Sequence, residues 1–180
     1  MGGFYVNRKI AEFLLSNYLD KSFPKKKLRN SFKLYEDWKN GYNNLADFEE
    51  VNHFLVNFHN LIYEIGVAKI ALCRNITNWN LDNVPDSAVP ISIPATPYEA
   101  EGGKIDGKIT AREFNAVFIE DIWNRHLKPN ISRALSRAKD ELKGESISVI
   151  LLSGGSANIG WLRSLIMKDF YSQLTLQRQL

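Results

Sequence analysis

Gly154, Gly155 and Ser156 follow a near-continuous β-branched and leucine run, Ser146 to Leu152, and precede apolar residues at helical spacing, Ile159, Leu162, Leu165 and Ile166. A glycine-rich turn that ends a strand and opens a helix offers unhindered backbone N–H groups and the positive end of a helix dipole, which suits a phosphate or a nucleotide. The same pair of glycines also serves a tight turn or close packing. Other groups suggest less chemistry. His53, His59 and His126 lack the i,i+4 spacing and the carboxylate pair of a helical metal site, so they read as structural or surface residues. Cys73 reads as a small packing residue. Lys25, Lys26 and Lys27, with Arg29 and Lys33, could meet phosphates, but a solvated helix face is the usual explanation of such a run. The acidic pairs Glu49-Glu50 and Glu120-Asp121 are adjacent in sequence and diverge on a helix, which argues against paired acid–base work.

The elements that must position these groups are mostly helical. Ile10, Phe13, Leu14 and Tyr18 mark an amphipathic helix over Tyr5 to Leu19, with Arg8, Lys9, Glu12 and Asn17 elsewhere on its wheel. Pro24 opens a second helix in its first turn, Leu28, Phe32, Tyr35 and Trp38 give it a face, and Asn40-Gly41 ends it. A third runs from an N-cap at Asp47 through Phe54, Phe58, Leu61, Ile65, Ala68 and Leu72. After Arg74 the chain turns to loop and then to short strands blunted by proline, Pro90 to Pro94 and Pro97 to Ala100, with a hairpin turn over Gly102, Gly103 and Gly107. Thr110 and Glu113 form a capping box that starts a helix carrying Phe114, Val117, Phe118, Ile122 and Trp123. Pro129 ends or kinks it, and Ile131 to Leu142 carry a further helix to Gly144. Ile147 to Leu152 reads as a strand covered on both faces.

With 180 residues and 44% apolar side chains the chain is long enough for a core. The net charge of +3 favours neither disorder nor a nucleic-acid partner. A single cysteine excludes an intramolecular disulfide framework and points to a reducing, cytoplasmic setting. No apolar run reaches the roughly 18 residues that cross a bilayer, so no membrane partner is expected.

Several motifs, in order, resemble the ATPase domain of DnaK-type heat-shock chaperones, members of the actin-like superfamily. Lys108 to Phe114, Leu127 to Ile131 and Val149 to Ile159 resemble the family's I-T-R-x-x-F helix start, its L-x-P kink and its V-L-V-G-G-S-x-R-I-P loop. Gly2 to Arg8 resembles G-G-x-x-F-D-N-R, and Val67 to Leu72 resembles the nucleotide helix E-x-A-K-x-x-L-S. The resemblance spans the chain and covers the second lobe. It implies an α/β fold: a helical subdomain with a short β-hairpin over residues 1–108, then, over 109–180, part of an actin-like (ribonuclease-H-like) lobe carrying the adenosine loop. It places Lys69 at the ribose, Gly154, Gly155 and Ser156 against the sugar-phosphate side of ATP or ADP, and Asn158 with them among the nucleotide contacts. Gly66, Ile70, Cys73 and Asn158 stand where the family has glutamate, arginine, serine and arginine. Loss of both arginines removes stacking worth roughly 0.5 to 2 kcal/mol each.

The resemblance thus implies a piece of a chaperone ATPase, one wall of a cleft that binds ATP with magnesium between two lobes. Its partners would be the remainder of the ATPase domain, a substrate-binding domain and a nucleotide-exchange factor or co-chaperone. A homodimer could form through the edge of the strand Ile147 to Leu152 or through Leu174 to Leu180. Without a D-x-G-T loop, this chain is expected not to hydrolyse ATP: the nearest tetrapeptide, Asp106 to Ile109, falls in the hairpin. The alternatives are a stand-alone protein-interaction domain and part of a sugar-kinase-type enzyme.

Overall fold

A computed structural model describes residues 3–19, 23–41, 49–75, 83–142, 150, 151, 159 and 161–171. The described chain is mostly helical with one two-stranded antiparallel hairpin, which agrees with the α/β class. Helix α1, Gly3–Tyr18, buries Val6, Ile10, Ala11, Leu14 and Leu15 along one stripe. Helix α2, Lys25–Lys39, is preceded by Pro24 at its N-cap, and ends at Asn40 with Gly41 beyond it at φ 85°, a backbone conformation that glycine adopts without penalty. Helix α3, Glu49–Asn75, runs for 27 residues, about 40 Å at 1.5 Å per residue. Phe54, Phe58, Leu61, Ile65, Ala68 and Leu72, spaced by four and three, form its buried face as the sequence requires. The expected N-cap Asp47 lies outside the described residues.

The hairpin pairs β1, Ala88–Pro94, with β2, Lys104–Thr110. Two details differ from the sequence expectation. Gly107 lies within β2 opposite Ile91, not in the turn. Added there, a Cβ would collide with Ile93 Cδ1 and come 3.2 Å from the Tyr18 ring, so the glycine makes room for those side chains. Pro97 to Ala100 forms turn structure, not a strand. Tyr98 is buried there, stacked on Phe54 and Phe23 and hydrogen-bonded to Ser31 Oγ at 2.8 Å. Asn57 of α3 donates to the carbonyls of Pro97 and Glu99 at 3.1 and 2.9 Å. With its ring in the core and its carbonyls taken by a helix, this stretch has no ladder to join.

Thr110 forms the expected capping box with Glu113: Thr110 Oγ1 accepts from the Glu113 N–H at 3.1 Å, and Glu113 Oε2 accepts from the Thr110 N–H at 2.9 Å. Helix α4, Ala111–Val117, follows and continues into a π-helical segment, Phe118–Leu127. Helix α5, Lys128–Leu142, continues directly from it. Pro129 therefore does not end the helical run. It falls in the first turn of α5, just after the wider register, where the Lys128 N–H bonds to the Trp123 carbonyl five residues back. Helix α6, Leu162–Phe170, packs Phe170 against Trp123, while Asp169 accepts from Trp123 Nε1 at 2.7 Å and pairs with Lys128 at 3.1 Å.

Of the segment expected as a central strand, only Ile150 and Leu151 are described. Neither is in a strand, and Leu151 is 88% exposed, which does not fit a position covered on both faces. Its remaining residues lie outside the described part. Buried side chains from both expected subdomains join one apolar cluster, from Val6 to Phe170. No described helix is long and apolar enough to cross a membrane.

Candidate functional site

Of the five expected site residues only Lys69 is described; Gly154, Gly155, Ser156 and Asn158 lie outside the described residues. Lys69 sits on α3 because the four-three apolar repeat turns Ala68 and Leu72 into the core and leaves Lys69 at the flank of that stripe, facing α1. Its Nζ donates to Asn7 Oδ1 at 2.8 Å. The two helices approach closely at this point: a Cβ on Gly66 would lie 2.8 Å from Asn7 Nδ2. Gly66 is thus the residue that admits the Asn7 amide, and a glutamate there would have to displace it.

A cleft of about 680 Å³ opens over this contact, reaching Gly3, Phe4 and Asn7 of α1, Gly66, Lys69 and Ile70 of α3, and Lys39 at the end of α2. Burial lowers the pKa of the Lys69 ammonium, an effect partly offset by the Cys73 thiol one turn on. Burial likewise raises the Cys73 pKa, with Lys69 partly opposing it, which keeps the sulfur in its unreactive thiol form and fits a packing role. Ile70 and Val67 are exposed on the same stretch of α3, with Tyr63 one turn before Val67, so the wall beside Lys69 is apolar. An ammonium held by a neutral amide beside an aliphatic surface can serve an anionic or hydroxylated ligand that carries an apolar body.

Of the other candidates, two histidines meet tyrosine hydroxyls, and His59 also lines the cleft. His59 Nδ1 lies 2.7 Å from Tyr35 Oη and His126 Nε2 lies 2.8 Å from Tyr5 Oη. Among the described residues no group of histidine, cysteine or acid side chains could hold a metal. From the basic run, Lys27 pairs with Glu50.

Sequence reasoning put Arg8 among the polar residues of the α1 wheel, but it is buried. It reaches Glu12 at 2.9 Å and Glu36 of α2 at 3.2 Å. Burial works against its charge, but hydrogen bonds and proximity to Glu36 and Glu12 outweigh this and raise the guanidinium pKa. The Arg8 hydrogen bond in turn lowers the Glu36 pKa against a smaller opposing effect of burial. Beside this network burial pushes the Tyr35 phenol up to about 12, with Arg8 opposing. The i,i+4 spacing of Arg8 and Glu12 was a legible signal; the contribution of Glu36 required the packing of α2.

Comparison with protein-family models and with curated proteins gives no match to this chain.

Proposed function

We propose that this chain forms one wall of the adenine-nucleotide cleft of a DnaK-type, actin-like ATPase, with the helices and hairpin as the outer part of the second lobe. The observation that carries this reading is the Asn7–Lys69 hydrogen bond. The resemblance picks out the segments around these two residues separately, 62 positions apart, and they meet in one cleft together with Gly3 and Gly66. The capping box at Thr110 and the helical run through Pro129 also follow the order of the family's motifs.

On this reading Lys69 turns from Asn7 to a ligand hydroxyl or phosphate oxygen, and Ile70 offers the base an aliphatic surface in place of a guanidinium plane. ATP or ADP is the cofactor, with magnesium supplied where the whole cleft is assembled. Lys69, Gly154, Gly155, Ser156 and Asn158 remain the proposed nucleotide contacts. The partners are the rest of the ATPase domain, a substrate-binding domain and an exchange factor, in the cytoplasm.

The test is an ADP titration of the 180-residue chain followed by amide NMR, with a phosphate-release assay on ATP. We expect millimolar affinity, about 4 kcal/mol, lost on Lys69→Ala, and no turnover. Unchanged amide signals at about 20 mM ADP would exclude the nucleotide reading. Micromolar affinity, or turnover that Ser156→Ala abolishes, would instead identify a complete enzyme.

A further inference from the structure

Two ammonium groups reach the cleft, and neither meets a carboxylate. Lys69 Nζ is held by the neutral Asn7 amide oxygen at 2.8 Å. Lys39, in the last turn of α2, lies over the Phe4 ring with Nζ 5.0 Å from its centroid. Among the described residues that line the cleft there is no aspartate or glutamate, and much of its surface is apolar, from Phe4, Ile62, Val67 and Ile70. Elsewhere the cations at packed interfaces are answered by acids: Arg8 by Glu12 and Glu36, and Lys128 by Asp169. Two like charges sharing an apolar cleft repel, and Lys69 already bears a desolvation cost there. The complement of such a surface is a molecule with at least two negative charges joined to a planar or apolar body.

We propose that Lys39 is the second cation of this cleft and that, together with Lys69, it selects a nucleoside polyphosphate over the uncharged nucleoside. The inference rests on the nucleotide reading above and adds to it a residue from α2, an element outside the motifs that carry the resemblance. A lysine in the last turn of a helix also suits the helix dipole, a role that would make it indifferent to the ligand.

The two roles separate in amide NMR titrations of the full chain with adenosine and with ADP, for the wild type, Lys39→Gln and Lys39→Arg. The wild type is expected to bind ADP about tenfold more tightly than adenosine, as one charge-assisted contact provides. Lys39→Gln should reduce this preference severalfold by weakening ADP while adenosine affinity stays unchanged, and Lys39→Arg should retain it. ADP affinity unchanged in Lys39→Gln, or adenosine weakened as much as ADP, overturns the role of Lys39 and leaves the nucleotide reading standing. Absence of any ADP response in the wild type overturns both.

Discussion

Arg8 and Asn7 are neighbours on α1 that face two different interfaces, and the two interfaces treat a cation in opposite ways. Toward α2, the Arg8 guanidinium is buried and meets two carboxylates, so its charge is fully answered within the fold. Toward α3, Asn7 gives the Lys69 ammonium only a neutral oxygen, at the mouth of a cleft. A cation with its counter-charges in place locks two helices together. One that is partly desolvated and bonded only to an amide costs stability and remains available to an anion. The contrast separates structural charge from candidate binding charge without reference to any ligand.

The contrast predicts unequal effects of mutation. Arg8→Ala should show the largest, a loss of about 2 kcal/mol in urea unfolding, because it removes the charge-assisted bonds to Glu12 and Glu36 and, among the described residues, leaves only Glu12 paired with another cation, Lys9. If Arg8→Ala proved neutral, the α2 interface would have to be held by apolar contacts alone. Gly66→Ala should act in the opposite direction by up to about 1 kcal/mol, the helix-propensity gain of alanine, reduced by whatever it costs to move the Asn7 side chain. Its diagnostic reading is a shift of the Asn7 side-chain amide signals, and an unshifted amide would contradict the close approach of α1 to α3.

Smaller effects follow from the titrating groups. The folded-state pKa of Glu36 is lowered, so its pairing with Arg8 stabilises the chain above the ordinary carboxylate value of 4.5 and is lost as the pH falls through the lower folded value. Glu36 is half exposed, so Glu36→Gln should remove only a few tenths of a kcal/mol at neutral pH and flatten that acid limb of the stability profile. Lys69 has the reverse sign. Its lowered pKa means that its charged form is disfavoured by folding, a cost present at neutral pH and relieved as the pH rises through the folded value toward 10.5. Lys69→Met should therefore be neutral or slightly stabilising at pH 7, and the wild type should gain on it as the solution becomes alkaline. A clear destabilisation by Lys69→Met would make Lys69 a structural residue like Arg8.

Where the chain folds by local rules, its sequence was readable. The 4-3-4-3-4 spacing of α3, the Thr110–Glu113 capping box and the Asn40-Gly41 stop each depend on residues within one or two turns, and each is present in the structure. Reading failed where a distant side chain set the backbone. Gly107 looked like a turn residue until Ile93 and Tyr18 were seen to need its space. Pro97 to Ala100 looked extended until Tyr98 was seen in the aromatic core and Asn57 on its carbonyls. At Pro129, expected to end or kink the helix, the helical run continues and only changes register, from the π segment to α5 at Lys128.

The site divides in the same way. That Lys69 lies beside an apolar stripe on a long helix follows from the period of that helix alone, because side-chain direction on a helix is fixed by residue number. Which residues stand opposite it depends on how α1 and α2 pack against α3, over sequence separations of 62 positions for Asn7 and 30 for Lys39. Sequence determined the helices and the flank on which the lysine rides. Tertiary packing alone decided that its partner is an amide and that Lys39 joins it, because pairing across helices is set by three-dimensional proximity, which no local spacing encodes.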